Sequence, residues 1–439
     1  MLKTIRKLLE ARAIIMLMER FFRLGAGAIV TFMVARMLGD EALGVYGVVM
    51  VWAAFLTPLS SMGLNNLVQK MASSQTDPQQ SRTILQSALW LRLSAGLFFA
   101  LLMILGFAVF YPHYFAIGPV AISTLFILQS FSAMMLCEYD QNYRGHFRAV
   151  ALSKIVVSML TLTARVVALI YGAQVDMLLL VVGIEFFLTG ALQYYWQRRY
   201  APDEPGLSLR YFSWQSSKDL LKRSSWLWLS GVVSVIYLKI DTIMIEQMIG
   251  VAATGQYTAV ARLSELWYVI PVTLAARYYP DLLKAYNNHW DSYLCILKKR
   301  SVQFFLMAFG IAIFMTLGAK WIMWLAYGEK FVPSATVLQI HVWAGCFIFV
   351  RALISQHLII TGNEPLSLLS HGVGAILNVL LNLWLIPIYG IEGAAWATLI
   401  SYAYASFFFL FCSGKTRAHF WQLLKVKAVA PQPPAKPES

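Results

Sequence analysis

Long apolar stretches recur along the whole chain, and they constrain its fold more than any other feature. Each stretch holds about 20 residues, the number that an α-helix needs to cross the roughly 30 Å hydrocarbon core of a bilayer. Backbone polar groups find no water inside lipid, so only helices and closed β-barrels span membranes. The stretches are continuously apolar and do not alternate with a period of two. The sequence therefore predicts an all-α integral membrane protein.

We predict twelve transmembrane helices arranged in two six-helix lobes. Only 13% of the residues are charged and 59% are hydrophobic, whereas about a quarter of the residues in a soluble domain are charged. The start, "MLKTIRKLLEARAIIM", is expected to be a basic amphipathic lead into the first span rather than a signal peptide. The predicted spans are residues 13–37, 44–69, 86–110, 115–137, 152–172, 177–197, 224–248, 255–280, 301–326, 333–360, 366–388 and 393–412.

The basic residues are distributed unevenly between the loops of the two faces. With the N-terminus in the cytoplasm, 24 of the 35 Lys and Arg residues lie in or beside cytoplasmic segments, and the outer loops hold only Lys330. This bias is typical of membrane proteins and predicts that both termini are cytoplasmic. It explains the net charge of +14 by membrane orientation. We therefore expect a phospholipid membrane as partner and no nucleic acid.

The sequence contains no pattern that indicates an enzyme, a metal site or a bound cofactor. The four cysteines are scattered and form no CxxC pair, so neither zinc nor a disulfide framework is expected. The stretch "SGKT" at 413–416 resembles the end of a phosphate-binding loop, but it lacks the required upstream glycine and strand. The outer loops are too short to hold a catalytic domain. We expect a transporter without a metal or cofactor.

The two halves of the chain are related by an internal repeat. "MVARMLGDEALGVYGVV" (33–49) aligns with "MIEQMIGVAATGQYTAV" (244–260) at an offset of 211, with seven of seventeen positions identical. "LIYG" (169–172) is echoed by "IPIYG" (386–390). Transporters with parallel repeats bind substrate between the repeats and expose it alternately to each side. The predicted organisation is an N-terminal lobe (1–200), a cytoplasmic linker (201–223), a C-terminal lobe (224–414) and a basic, Pro-rich cytoplasmic tail (415–439).

Sixteen charged residues lie within or at the ends of the predicted spans, ten of them basic and six acidic. A charge at mid-membrane depth is costly and usually faces a partner or a water-filled cavity. The excess of cations predicts a chamber that attracts an anion, and the arginine fork suits phosphate. The predicted substrate-binding residues of this cationic chamber are Arg20, Arg23, Arg92, Arg165, Lys239, Arg262 and Arg351.

Two acidic residues are candidates for coupling transport to an ion gradient. Glu185 and Asp241 lie deep in predicted spans, where low polarity favours uptake of a proton by a carboxylate. Coupling to H⁺ or Na⁺ is expected. Ion pairs within one helix remain an alternative for two of the charged sets, Arg262 with Glu265 and Glu19 with Arg23, because their spacings place them on one face.

Four stretches together resemble the polysaccharide transporter family of the MOP (MATE-like) superfamily, which includes the Wzx-type flippases of lipid-linked O-antigen. They are "VARMLGDEALGVYGVV", "SSMGLNNLVQKMA", "KIDTIMIEQMIGVAATGQYTAVARL" and "LNLWLIPIYGIEGAAWATLISY". The resemblance implies translocation of an undecaprenyl-diphosphate-linked oligosaccharide across the bacterial cytoplasmic (inner) membrane. It also implies polysaccharide polymerase or assembly proteins as partners. The glycan, from an O-antigen, a capsule or an exopolysaccharide, is not specified.

Two other transport functions within the same superfamily stay open as alternatives. A multidrug or cation antiporter would favour a chamber dominated by carboxylates or apolar surface, and the excess of cations argues against it. A flippase for a peptidoglycan precursor would be expected to carry two further C-terminal helices. A membrane-bound glycan polymerase or ligase is disfavoured because the sequence predicts no large periplasmic loop.

Overall fold

The computed structural model describes residues 2–65, 67–68, 77–201, 207–412, 414, 416–417 and 421. These residues form helices and connecting turns and contain no β-strand. Short 3₁₀ segments lie at Phe131–Met135, Leu209–Tyr211, Leu266–Tyr268 and Glu329–Ser334, and a π-helical segment at Tyr404–Phe408. The α-helices of the described residues are α1 Leu2–Ser61, α2 Pro78–Phe110, α3 Pro112–Ile117, α4 Pro119–Ser130, α5 Leu136–Tyr143, α6 Phe147–Ile170, α7 Val175–Tyr200, α8 Trp214–Met248, α9 Val251–Glu265, α10 Val269–Asn288, α11 Trp290–Tyr327, α12 Ala335–His341, α13 Ala344–Ile360, α14 Glu364–Ala403 and α15 Phe409–Cys412.

The helices account for the twelve predicted spans. In the described part of the chain, nine helical segments are long and apolar enough to cross a membrane, and the bent pair Glu329–His341 and Ala344–Ile360 makes a tenth. Two of the nine contain a non-helical glycine, Gly39 (φ 89°) in α1 and Gly390 (φ 60°) in α14. Each glycine divides a helix of more than 40 residues into two spans. The predicted all-helical membrane fold is confirmed.

Apolar side chains cover the helix surfaces that would face lipid. On α2, Phe98, Leu101 and Leu105 are 58–61% exposed, and their spacing places them on one helical face. Leu317 on α11 is 84% exposed. In water such a surface would be costly, whereas a bilayer accommodates it. The exposed apolar faces are therefore consistent with helices surrounded by hydrocarbon.

The first of two compact units comprises Met1–Ala259 with Ala326–Phe331. Its core includes Val30, Val34 and Leu56, all fully buried on α1. A side-chain cap begins α2, where Asp77 accepts a hydrogen bond from the backbone N–H of Gln79. Such caps satisfy backbone N–H groups that lack a partner within the helix.

The second unit comprises Val260–Leu325 with Val332–Ser439. A cluster of Val350, Ile354 and Leu358 on α13 packs with Phe407 of the π-helical segment. The boundaries of the predicted lobes stay a prediction. Most of the predicted tail at 415–439, and part of the predicted linker, lie outside the described residues.

Candidate functional site

The two copies of the internal repeat meet within the first unit. We call residues 39–47 and 250–258, together with Lys330, the repeat junction. The equivalent glycines Gly39 and Gly250 both adopt positive φ, at 89° and 122°, a conformation that glycine adopts without steric cost. Each begins the second helix of its repeat, so the sequence repeat corresponds to a repeated turn in the structure.

Glycines of the two repeats approach each other's backbone in a reciprocal way. A Cβ atom added to Gly44 would lie 2.1 Å from the carbonyl oxygen of Val251. A Cβ atom added to Gly255 would lie 1.9 Å from the carbonyl oxygen of Asp40. At the offset of 211, Gly44 corresponds to Gly255 and Asp40 to Val251. The same contact is thus made twice, once from each repeat.

A third contact joins two residues that are each other's repeat counterparts. A Cβ atom added to Gly47 would lie 2.5 Å from Oγ1 of Thr258, and the offset of 211 relates these two positions. A residue that touches its own counterpart lies on the axis relating the two copies. The repeat junction therefore has local two-fold symmetry, and only small residues fit along its axis.

An ion pair and two amide hydrogen bonds connect Asp40, Gln256 and Lys330 at the turns of the repeat junction. Nζ of Lys330 lies 2.6 Å from Oδ1 of Asp40, and the Gln256 amide donates to Oδ2 of Asp40 and to the carbonyl oxygen of Lys330. Partial burial alone would raise the pKa of Asp40, but the hydrogen bonds from Lys330 and Gln256 outweigh it and hold the pKa below its usual value. The hydrogen bond to Asp40 raises the pKa of Lys330.

Asp241, one of the two predicted coupling residues, is buried on α8. It is 4% exposed and accepts a hydrogen bond of 2.9 Å from the hydroxyl of Tyr257. Tyr257 belongs to the repeat junction, so this hydrogen bond connects Asp241 to the junction. Its coupling role stays a prediction.

A second buried carboxylate lies one turn further along α8. Glu246 is 8% exposed; its Oε1 accepts from the hydroxyl of Tyr114 at 3.0 Å, and its Oε2 from the amide of Gln247 at 2.7 Å. Burial and the nearby carboxylate raise the pKa of both Tyr111 and Tyr114, in the connection between α2 and α4.

Arg165 and Glu185 form an ion pair between α6 and α7. Nη2 of Arg165 lies 2.5 Å from Oε2 of Glu185, and Ser158 donates to Oε1 of the same carboxylate. The arginine also donates to the carbonyl and hydroxyl oxygens of Thr161. A predicted binding residue and a predicted coupling residue are therefore paired with each other. Their roles in binding and coupling stay predictions.

Two further predicted cations lie inside the first unit. Arg92 is 5% exposed and donates to Oδ1 of Asn65 at 2.8 Å and to the carbonyl of Ser132 at 3.5 Å. Lys239 is half-buried on α8. The donors of Arg92 thus meet neutral oxygens at these two contacts.

The remaining two predicted cations of the first unit lie on α1. Arg20 is exposed, and Arg23 forms an ion pair with buried Glu19, one turn earlier. The Glu19–Arg23 pair is the one that the spacing of these residues suggested.

In the second unit, Arg351 lies beside the π-helical segment. It is 6% exposed and donates to the carbonyl of Ala405 at 3.0 Å, to the hydroxyl of Ser370 at 2.7 Å, and to both oxygens of Ser367. Single turns of π-helix occur often at functional sites. Arg351 fixes this irregular turn through the carbonyl of Ala405.

Arg262 is the other predicted cation of the second unit. Its Nε is buried and has no hydrogen-bond partner among the described residues. Arg262 and Glu265 both lie on α9, and an ion pair between them stays a prediction. A buried guanidinium nitrogen without an acceptor is costly unless a ligand or water supplies one.

No group of three or more metal-ligating His, Cys, Asp or Glu side chains occurs in the described part of the chain. Arg165 and Glu185 instead pair with each other, and Arg351 donates to hydroxyl and backbone carbonyl oxygens.

A family model described as "Polysaccharide biosynthesis protein" matches residues 10–280, more than half of the chain. The chain belongs to this family. The predicted resemblance to a polysaccharide family is confirmed by this match. No curated protein matches the chain at a significant level.

Several solved structures share the fold of this family member. A structure described as "Lipid II flippase MurJ, inward closed conformation" aligns with a TM-score of 0.72 and 15% identity, covering 93% of this chain and 89% of the other. An inward-facing multidrug resistance MATE transporter of the MOP superfamily aligns with a TM-score of 0.72 and 16% identity, covering 93% and 96%. An outward-facing MATE transporter reaches 0.64 at 15% identity, covering 96% and 97%. At these identities the likeness shows the fold.

The sequence did not single out the residues that connect the two repeats. Asp40 and Lys330 are 290 positions apart, and nothing in the sequence shows that they pair. Tyr114 lies in the short connection between α2 and α4, which looks like a simple turn in the sequence. The repeat alignment was the one available signal, because it marked Gly44 and Gly255 as equivalent.

Proposed function

We propose that this protein is a flippase that translocates an undecaprenyl-diphosphate-linked oligosaccharide from the inner to the outer leaflet of the bacterial cytoplasmic membrane. The family supports a role in polysaccharide biosynthesis, and the fold is shared with a lipid II flippase. The substrate has a doubly charged lipid head and a hydrated glycan. The oligosaccharide belongs to an O-antigen, a capsule or an exopolysaccharide.

The main support for the proposal is that Nε of Arg262 lacks a hydrogen-bond acceptor within the part of the chain that the structure describes. Arg262 lies in the last turn of α9, and its buried Nε finds no acceptor among the described residues. A diphosphate would supply such an acceptor, because phosphate oxygens match the planar arginine fork. Arg92 and Arg351 add buried guanidinium groups that contact neutral oxygens.

Transport of this substrate is proposed to be coupled to a proton or sodium gradient. Asp241 is buried and hydrogen-bonded to Tyr257, and Glu185 is paired with Arg165. A carboxylate that gains or loses a proton changes both interactions. The E185Q and D241N variants are expected to transport without dependence on a pH gradient, and unchanged dependence would contradict the assignment.

The function is tested by reconstituting the protein in liposomes with an undecaprenyl-diphosphate oligosaccharide and measuring its flipping. We expect R262A to reduce the rate at least about tenfold, since a bidentate charged contact to phosphate is lost. R262K keeps the charge without the fork and is expected to fall between R262A and the wild type. R20A, R23A and R165A test the other proposed cations. Normal transport by R262A and by all three of these variants would overturn the cationic mechanism.

A second arm distinguishes the flippase from a multidrug antiporter. The same liposomes are loaded with an organic cation dye, and its efflux is followed under a pH gradient. A flippase of a lipid-linked anion is expected to flip the oligosaccharide lipid and leave the dye inside. Efflux of the dye without lipid flipping would replace the proposed function with drug or cation antiport.

A further inference from the structure

A wide apolar groove lies on the second unit, between α11, α13 and the end of α14. Its volume is about 830 Å³, within the range of small-molecule pockets in proteins. Apolar atoms make up almost all of its surface. Most of the side chains that line it are aromatic, namely Phe305, Phe309, Trp343, Phe347, Tyr404 and Phe408. The groove therefore has the size of a binding site and presents an apolar wall to its occupant.

The aromatic rings of the groove hold each other in place. The ring centroid of Phe309 lies 5.5 Å from that of Trp343 and 5.8 Å from that of Phe305. The ring of Phe347 packs edge-on against Phe407 at 5.9 Å. Ring pairs at these distances attract each other beyond the burial of their area. Because its rings are fixed by their neighbours, the lining does not collapse into the space that it encloses.

An irregular turn forms one wall of the groove. Tyr404 and Phe408 are the first and last residues of the π-helical segment, and both line the groove. The buried guanidinium of Arg351 donates to the carbonyl oxygen of Ala405 within this turn at 3.0 Å. Single π-helical turns are rare, and they occur frequently at functional sites. The wall is thus a specific feature of this chain, held in shape by a buried cation.

The lining and the surroundings of the groove favour a hydrocarbon chain as its occupant. Phe408 is 60% exposed and Cys346 only 3%, so the groove is open on the outside and reaches into the packed interior of the unit. Water would find almost no polar group to bind there, and an unfilled groove would lose packing contacts along its lining. Both α11 and α14 are long and apolar enough to cross a membrane, so lipids surround the groove. We therefore expect a lipid chain to fill it.

Cations on α11 indicate which lipid head accompanies that chain. Lys298, Phe305 and Phe309 are spaced so that they lie on one face of α11. Lys299, which is exposed, and Arg300 follow Lys298 directly. These cations lie just before a predicted span, at the end that the charges of the loops assign to the cytoplasm. Basic side chains at this position attract anionic lipid heads.

We propose that the groove binds an acyl chain of an anionic phospholipid from the cytoplasmic leaflet, with the phosphate head beside Lys298 and Lys299. None of the predicted chamber cations is among the described residues that line the groove, which favours a bound phospholipid over the lipid-linked glycan. The bound chain fills the space between α11, α13 and the end of α14, and so stabilises the second unit. The inference goes beyond the proposed function and does not depend on it.

Native mass spectrometry of the purified full chain in detergent tests the lipid head. The probes are phosphatidylglycerol and phosphatidylcholine with identical acyl chains, added separately to the delipidated protein. We expect the wild type to bind phosphatidylglycerol at least about tenfold more tightly, because each lysine beside the anionic head contributes a favourable charge interaction. K298Q/K299Q should bind both lipids with the affinity for phosphatidylcholine. K218Q/K222Q removes two exposed lysines at the start of α8 and should keep the preference.

The A403F variant tests the groove, because its added ring would occupy the space of the acyl chain. It is expected to lose the tightly bound molecule of either lipid. A276F adds the same ring at an exposed position of α10 and should bind lipid like the wild type. If A403F does not fold, I400F adds a ring at an exposed edge of the groove and is expected to show the same loss.

Three results would overturn the inference. The first is a wild type without preference for phosphatidylglycerol, or the same preference in K298Q/K299Q. The second is tight lipid binding retained by every groove variant that folds. The third is displacement of phosphatidylglycerol by an equal concentration of undecaprenyl phosphate, since the groove would then belong to a prenyl chain.

Discussion

At the scale of single residues, the ion pair of Asp40 and Lys330 has a defined pH window. The pKa of Asp40 is lowered from 3.8 in the folded protein, so its contribution is present above that value and is lost as the pH falls through the folded pKa. The pKa of Lys330 is raised from 10.5, so its contribution is present below that value and is lost as the pH rises through the folded pKa.

The D40N variant tests this window. At pH 7 we expect its midpoint of thermal unfolding to be about 1–2 °C below that of the wild type, because the Lys330 side chain is exposed and water screens its attraction to Asp40. The difference should disappear below the folded pKa of Asp40 and above that of Lys330. E41Q removes the neighbouring charge and should have a smaller effect. A D40N difference that stays constant at all pH values would show that the ion pair is not its cause.

The pair formed by Arg165 and Glu185 gives a second prediction for single residues. Removing one member of a buried ion pair leaves the other uncompensated. We expect R165M and E185M each to destabilise the protein by about 3 kcal/mol, and the double variant R165M/E185M to recover most of this loss. Thermal unfolding in detergent measures both effects. A double variant as unstable as the sum of the single ones would show that the two residues act independently.

The sequence predicted which charged residues lie within helices but not which of them are partners. Glu19 and Arg23 were an exception, since one helical turn separates them and local geometry brings them together. Arg165 and Glu185 lie on different helices, so their contact depends on how each helix is rotated. Such rotation is set by packing over the whole unit, and the hydropathy of one segment does not encode it.

At the scale of helices, the reciprocal glycine contacts of the repeat junction predict that no larger residue is tolerated at Gly44 or Gly255. G44A and G255A each place a methyl group within 2.1 Å of a backbone carbonyl oxygen, and backbone atoms cannot move aside cheaply. We expect each variant to destabilise the junction by about 1–3 kcal/mol. The effect is measured as a lower unfolding midpoint and faster amide exchange of residues 39–47 and 250–258.

Gly106 on α2 provides the matched control. A Cβ atom added there would meet nothing within 4 Å, and alanine favours a helix over glycine by about 0.5–1 kcal/mol. G106A is therefore expected to leave the protein unchanged or slightly more stable. If G44A and G255A behave like G106A, the close approach of the two repeats is not required for stability.

The repeat was predictable from the sequence, but the contact between its two copies was not. Glycines recur at equivalent positions because both copies need the same turn, and the structure gives Gly39 and Gly250 the same positive φ. The sequence could not show that Gly44 of one copy packs on Val251 of the other. That contact depends on the two-fold relation between the copies, which becomes visible only in three dimensions.

At the scale of the whole molecule, hydropathy predicted the spans and the helical fold. Length and apolarity decide whether a segment crosses a membrane, and both are properties of the sequence alone. The breaks at Gly39 and Gly390 also match the predicted ends of spans. Hydropathy alone does not show which distant segments pack in one compact unit, such as residues 326–331 with the first 259 residues.

Membrane orientation is the remaining prediction for the molecule as a whole. In a variant with its four native cysteines replaced, single cysteines are placed at Glu329 and Arg210, both exposed in the structure. Because basic residues are concentrated in the predicted cytoplasmic segments, we expect a membrane-impermeant thiol reagent to label E329C in intact spheroplasts. R210C should be labelled only after the membrane is permeabilised. Labelling of R210C in intact spheroplasts would contradict the predicted orientation. It would show that the repeat junction faces the cytoplasm.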